Sequence, residues 1–356
     1  MDISKLDKNF AAEKVNEGEG VLFPATDKRF SLYGVFYDEA AEGFLRMPNE
    51  VAKKTSDGVF QLNRQTSGGR LRFSTDSSFL RIYVKWNSLD DMNHMPLSGS
   101  SSFTLTETIK GQEKFVGILR SEHNSYEGFN AEIRLSAKKE DKVRTYTLWF
   151  PLYNDVKSLA LEFAEGAFVG NGAEYRKILP VLYYGSSITQ GGCASRADHS
   201  YSALISKRFN VDFINLGFSG NAKAEEAISE YLASVLCSVF VYDYDHNAPD
   251  AEYLAATHER LFLQFRKAQP FTPVVFLSRP DYKEEDDSLT RREIVLKTYD
   301  HAVKAGDKNV WFVDGKTILG KEGWRECTVD GVHPTDLGFM RMANAVGKVL
   351  RNIIGF

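Results

Sequence analysis

The chain changes its hydrophobic period near the middle. From residue 20 to about 165, apolar and polar positions alternate in short runs: Arg70-Leu71-Arg72-Phe73, Arg81-Ile82-Tyr83-Val84-Lys85-Trp86, Glu132-Ile133-Arg134-Leu135 and Thr145-Tyr146-Thr147-Leu148-Trp149-Phe150. Period two puts every second side chain on one face of a strand, so Ile82, Val84 and Trp86 share a face. Ser67-Gly68-Gly69 and Gly99-Ser100-Ser101-Ser102 lie between such runs and carry turn or loop chemistry. The pattern predicts antiparallel strands folded as a β-sandwich.

From Ile178 onward the strands read as continuous apolar runs separated by helical spacing. Strands are expected at 178–184, 211–216, 238–242, 273–278 and 309–313. Helices are expected at 198–208, 222–235, 251–268, 288–305 and 336–354, the last with Phe339, Met340, Ala343, Val346, Leu350 and Ile353 on one stripe. Five strands alternating with helices predict an α/β domain, its parallel sheet covered on both faces. The stretch 165–177 (EGAFVGNGAEYRK) is the expected boundary, giving a sandwich over 1–175 and an α/β domain over 176–356.

Composition narrows the possibilities. A chain of 356 residues suits two domains, and 43% hydrophobic residues exclude general disorder. A net charge of −4 argues against a nucleic-acid partner. No apolar run approaches the ~18 residues of a membrane span. The segment MDISKLDKNFAAEKVNEGEG lacks the apolar stretch of a secretory leader. Cys193, Cys237 and Cys327 show no CxxC spacing, and no glycosylation sequon occurs. A reducing, cytoplasmic location is the simplest expectation. Oligomeric state is not derivable.

Several motifs fail on spacing. Gly315-Lys316-Thr317 would need its phosphate-loop glycine at Val310, and Gly170-Asn171-Gly172 would need a third glycine at Tyr175. There is no HExxH and no G-x-S-x-G elbow. No His/Cys/Asp spacing calls for a metal, and no cofactor is implied.

What remains is a set of loops at one end of the inferred sheet, where ligands of open α/β sheets bind. They are Gly185-Ser186-Ser187-Ile188-Thr189-Gln190-Gly191-Gly192, Asn215-Leu216-Gly217-Phe218-Ser219-Gly220-Asn221, Asp243-Tyr244-Asp245-His246-Asn247-Ala248-Pro249, and Asp330-Gly331-Val332-His333-Pro334. Singly, each reads as turn chemistry. In this order they resemble the nucleophile, glycine, asparagine and acid–histidine blocks of the SGNH (GDSL) hydrolase superfamily. The resemblance covers about 178–356. MPLSGSSSF and YTLWFPLYNDVKSLAL resemble the N-terminal β-sandwich of GDSL-like acylhydrolases.

The resemblance implies a three-layer α/β/α, flavodoxin-like sheet preceded by a jelly-roll-like sandwich. It implies a serine esterase acting on short-chain esters, most of all acetyl esters on a carbohydrate. Ser187 aligns with the nucleophile. A hydroxyl needs an adjacent base, and His333 fits, because imidazole can take and return a proton. Asp330, three residues earlier, would orient the ring. The oxyanion hole would combine the backbone N–H groups of Ser187 and Gly220 with the Asn247 amide.

The departures keep alternatives open. Ser186 stands where the family has aspartate and is a rival nucleophile. Asp245 replaces a glycine and Ala248 an aspartate, and Thr104 replaces the sandwich motif's aspartate. His246 is either a pocket residue or a plain loop histidine. Arg279 contacts either substrate or a neighbouring carboxylate, or belongs to a structural turn. His94, His123, His199, His258 and His301 have no acid partner at useful spacing and read as surface or packing residues. Trp86 and Trp149 read as core rather than as a sugar platform. The expected partner is a small-molecule or oligosaccharide ester. A lipase or thioesterase of the same fold, or a glycan-binding protein without catalysis, are the other readings.

Overall fold

The computed structural model describes residues 20–135, 143–280 and 287–355. The segment on which the leader reading rests lies almost wholly outside them. Among the described residues no helix is long and apolar enough to cross a membrane.

The N-terminal half contains β1 (Gly20–Pro24), β2 (Ser31–Tyr33), β3 (Phe36–Asp38), β4 (Gly43–Leu45), α1 (Asn49–Thr55), α2 (Asp57–Leu62), β5 (Arg70–Thr75), β6 (Phe79–Ser88), α3 (Leu97–Ser100), β7 (Phe103–Ile109), β8 (Gln112–Leu119), β9 (Gly128–Arg134), β10 (Arg144–Trp149), β11 (Asp155–Ala164) and β12 (Val169–Asn171). One sheet runs β1-β11-β6-β9 and the other β12-β5-β10-β7-β8, with β2 also on β5. The pairings are antiparallel. Leu71, Phe73, Ile82, Val84, Trp86 and Leu148 fill the space between the sheets. The 165–177 stretch, read as linker, carries β12, and the Gly99–Ser102 cluster overlaps α3 rather than forming a plain turn.

The polar face of β5 does not meet water. Every residue of β5 is buried, because this sheet packs its second face against the C-terminal half. Arg70 donates Nε to Tyr175 Oη at 2.7 Å and pairs with Asp212, while its guanidinium lies 4.1 Å from the Phe213 ring centroid. Arg72 pairs with Glu113 at 2.7 Å. Trp149 leaves the sandwich core by the same alternation and stacks on Phe213 at 6.3 Å. It is buried, but in the layer between the two halves.

The C-terminal half follows with β13 (Val181–Gly185), α4 (Ser187–Gln190), α5 (Tyr201–Phe209), β14 (Phe213–Gly217), α6 (Glu226–Ser234), β15 (Val239–Asp243), α7 (Ala251–Ala268), β16 (Val274–Leu277), α8 (Ser288–Lys304), β17 (Val310–Val313), α9 (Gly315–Ile318) and α10 (Asp336–Ile354). The strands form one parallel sheet in the order β14-β13-β15-β16-β17. Val181 and Tyr183 face the layer of α5 and α10, while Leu182 and Tyr184 face α6 and α7. Both layers are completed from the N-terminal half, by Met95, Leu152 and Tyr153 on one side and Met47, Ala52 and Val59 on the other. β13 sits between β14 and β15, so the chain reverses its winding at the carboxyl end of β13, where a crevice forms.

Candidate active site

Gly185 ends β13, and Ser186 caps the one-turn helix α4, its Oγ accepting from Ile188 N at 3.2 Å. The Ser186 hydroxyl is thus used locally and buried. Ser187, the first helical residue, turns its Oγ to His333 Nε2 at 2.9 Å. The close seating of α4 on β14 requires glycine at 217, since a Cβ there would come within 2.2 Å of Gln190 N.

The acid–histidine loop folds around one carboxylate. Asp330 Oδ1 accepts from Val332 N at 3.0 Å and His333 N at 2.8 Å, and Gly331 takes φ +87°. Oδ2 is then left facing His333 Nδ1 at 2.7 Å. Partial burial raises the Asp330 pKa. The imidazole and the two backbone N–H groups outweigh that and bring it down to about 2. A carboxylate ionised at neutral pH fixes the Nδ1–H tautomer and leaves Nε2 as a proton acceptor for Ser187.

Gly220 takes φ +67°, and a Cβ placed there would meet nothing within 4 Å. Its exposed backbone borders open space. Asn247 lies in a 3-10 turn after β15, and its Oδ1 accepts from Ala222 N at 3.3 Å. That contact fixes the Asn247 amide oxygen on the loop that follows Gly220. Ser187, His333 and Asp330 are therefore in direct contact, with the Gly220 and Asn247 loops joined beside them.

His246 shares the 3-10 turn of Asn247, and Arg279 follows β16. The Arg279 backbone N–H binds Asp245 Oδ2 at 2.9 Å, and its guanidinium lies 3.8 Å from Asp287. Its neighbours are carboxylates. His246 lies close enough to Asp243 to act on that carboxyl by charge. Thr104 is buried on β7, opposite Trp149 in the ladder.

The expectation about the other histidines needs correction. Sequence spacing hides partners that tertiary structure supplies. His123 meets Asp91 at 2.9 Å, His199 meets Asp336 at 2.8 Å and His301 meets Glu259 at 2.9 Å. His258 is a packed core residue. His94 stands over the site, its ring centroid 5.9 Å from that of His333.

The N-terminal half contributes more to the site than sequence reasoning found. Tyr153 Oη donates to the Ser187 carbonyl at 3.3 Å. Gln65 Oε1 accepts from Gln190 Nε2 at 2.5 Å, and Gln190 Oε1 accepts from Ser219 N at 3.0 Å. The Arg46 guanidinium reaches the carbonyls of Asn215 and Gly217. A cationic residue inside the run Phe44-Leu45-Arg46-Met47 was the one available signal. A cleft of about 810 Å³ is lined by residues 91–97, His123 and Val329. It borders Asp330 and carries His94 on its wall.

A parallel sheet with these four loops at its carboxyl edge defines a hydrolytic α/β enzyme. Residues 178–351 match the GDSL-like lipase/acylhydrolase family, and residues 23–169 match the N-terminus of SGNH-hydrolase-type esterases. Residues 178–351 form a GDSL-like lipase/acylhydrolase domain, and the protein is a carboxylic ester hydrolase. Solved structures with the same architecture include one described as a GDSL-like lipase from Bacteroides ovatus ATCC 8483, 25% identical with a TM-score of 0.82, covering 94% of this chain and 98% of that one. A salicylyl-acyltransferase from a tetracycline biosynthetic pathway is 18% identical with a TM-score of 0.75, covering 94% and 96%. An acetyl xylan esterase from the rumen bacterium Butyrivibrio proteoclasticus is 13% identical with a TM-score of 0.57, covering 94% and 99%. No curated protein matches.

Proposed function

We propose that the protein hydrolyses short-chain acyl esters, acetyl esters foremost, carried on a carbohydrate alcohol. Ser187 is the nucleophile, His333 the general base and acid, and Asp330 the group that orients the ring. The observation that carries this reading is the unbroken relay of Ser187 Oγ to His333 Nε2 at 2.9 Å and His333 Nδ1 to Asp330 Oδ2 at 2.7 Å.

In the first step His333 Nε2 takes the Ser187 proton as Oγ attacks the acyl carbon. Negative charge collects on the former carbonyl oxygen. The backbone N–H groups of Ser187 and Gly220 and the Asn247 amide stabilise it. His333 then returns the proton to the departing alcohol, leaving an acyl-Ser187. Water, deprotonated by the same imidazole, releases the acid and restores the serine.

The carbohydrate assignment is supported by the side chains around the relay. Asp91, Asn93, His94 and His123 border a cleft wide enough for a sugar, and all four can hydrogen-bond hydroxyl groups. Carbohydrate esterases also occur among the structural neighbours.

The experiment is hydrolysis of 4-nitrophenyl acetate by wild type, Ser187→Ala and Ser186→Ala, followed by a chain-length series from acetyl to dodecanoyl and a panel of acetylated sugars. Collapse by orders of magnitude in Ser187→Ala alone, with the rate greatest for acetyl, supports the reading. A maximum above eight carbons would replace it with a lipase or thioesterase.

A further inference from the structure

Behind the cleft wall that carries His94, three side chains come together that the ester chemistry does not require as a group. A ring nitrogen of His94, Sγ of Cys193 and a ring nitrogen of His333 all lie within 4.8 Å of one another. They come from three separate places: the loop after β6 in the sandwich, the turn after α4, and the acid–histidine loop. Cys193 is held at φ +71°, an uncommon conformation for a residue with a side chain. It directly follows the Gly191-Gly192 pair. Gly192 itself fits closely under His333, since a Cβ there would sit 3.2 Å from its Cδ2.

We propose that Cys193, His94 and His333 form a binding site for a divalent cation of the zinc class, and that occupancy reversibly switches the esterase off. One thiolate and two imidazoles with a fourth position open to water is a donor set suited to Zn²⁺ and Co²⁺ and unsuited to Mg²⁺ or Ca²⁺. Zinc–ligand bonds of roughly 2.0–2.3 Å put donor atoms about 3.3–3.7 Å apart, so the group must close by about 1 Å. The exposed His94 can supply that movement. The second shell is already in place: the His333 Nδ1 contact to Asp330 is the carboxylate–histidine pairing that orients a metal-bound imidazole.

The chemistry balances without a redox partner. The metal takes the Nε2 lone pair of His333, a lone pair of His94 and the Cys193 thiolate. The Cys193 thiol binds as thiolate, so its proton is released to solvent on binding. Ser187 loses its hydrogen-bond acceptor, and acyl transfer stops. The inhibitory half of the proposal rests on His333 being the base; the site itself does not.

The test titrates Co²⁺ and then Zn²⁺ into the wild type, Cys193→Ser and His94→Ala, reading both absorbance and 4-nitrophenyl acetate turnover. A near-ultraviolet thiolate-to-cobalt band in the wild type, absent in Cys193→Ser and displaced by Zn²⁺, is expected. Zn²⁺ should inhibit the wild type and chelation should restore it, with Mg²⁺ inert. Each variant, scored against its own metal-free rate, should need at least tenfold more Zn²⁺ for half inhibition. No band, together with equal Zn²⁺ sensitivity in all three proteins, overturns the site. A Cys193-dependent band without inhibition overturns the switch while leaving a Cys193 metal site standing.

Discussion

The Arg46 guanidinium, from the sandwich half, donates to the carbonyl oxygen of Gly217 at 2.6 Å, at the end of the strand that carries the glycine block. It also reaches the Asn215 carbonyl at 3.1 Å and the Leu62 carbonyl at 2.6 Å, and its plane lies 4.6 Å from the Phe218 ring centroid. One side chain thus ties α2 to the loop that presents Gly220. Burial lowers its pKa to about 9, leaving it charged at neutral pH. Arg46→Met keeps much of the volume but orphans these buried carbonyls, each worth about 1–3 kcal/mol. The expected outcome is a lower Tm and a reduced kcat with a smaller change in KM, with Arg46→Lys recovering part of both. An unchanged kcat in a folded Arg46→Met would show that the loop is positioned without it.

Two of the three members of the proposed oxyanion hole should respond differently to substitution. Asn247→Ala removes one donor and should lower kcat/KM by about 10²–10³, with little effect on Tm. Gly220→Ala forces a side chain to φ +67°, a strain of about 1 kcal/mol, yet its methyl meets nothing in the free protein. Activity should therefore fall further than the small loss in Tm implies, because the methyl occupies substrate space. Thermal melts and acetyl-ester kinetics on both variants check this. Retention of wild-type kcat/KM in Gly220→Ala would remove that backbone from the site.

Asp243 sits at the end of β15, buried, accepting from Thr189 Oγ1 at 2.7 Å and Tyr201 Oη at 3.2 Å. Burial pushes its pKa up to about 7, against the Thr189 hydrogen bond and with help from the charge of Asp245. The native state then keeps a proton that the unfolded chain releases above its ordinary value of 3.8. Stability from this group is greatest below that value and is lost as pH rises toward 7. Asp243→Asn retains the acceptor and removes the titration. Its Tm relative to wild type should rise between pH 4 and pH 7 and then level off. A constant Tm difference across that range would contradict the raised pKa.

The parts of this molecule that were legible in the sequence are those whose signal is local. The helix expected at 251–268 coincides with α7, and that at 336–354 with α10, because each carries a full apolar stripe and an N-cap, Asp250 or Thr335. The four loops of the candidate site could be quoted from the sequence because three follow a strand end within a few residues and the fourth directly precedes the strongly patterned α10. What was hidden depends on contacts between distant segments. The alternation places Arg70 and Arg72 on one face but does not show what covers it; the C-terminal half does, so two charges are buried with partners from Glu113 to Asp212. The short α1 and α2 carry too few turns for a visible period. His94 has no sequence neighbour that reveals its closeness to His333.

His258 gives a pH prediction that is independent of catalysis. It lies inside α7 with Nδ1 2.8 Å from Thr298 Oγ1 and its ring stacked on Tyr242 at 4.5 Å. Burial lowers its pKa to about 3. The unfolded chain accepts this proton below about 6.5, whereas the native state refuses it until about 3. The sign is therefore opposite to that of Asp243: this contribution is intact above pH 6.5 and is lost on acidification, by roughly 1.4 kcal/mol per pH unit once well below 6.5. His258→Gln keeps an acceptor for Thr298 but cannot titrate. It should be less stable than wild type at pH 7 through poorer stacking, and the two should converge as pH falls to 4.5. Denaturant unfolding at several pH values reads this directly. Parallel stability curves over that range would mean that His258 is protonated in the folded core, which would require an acceptor within reach of Nε2 that the surrounding Tyr242, Tyr244 and Phe276 rings do not provide.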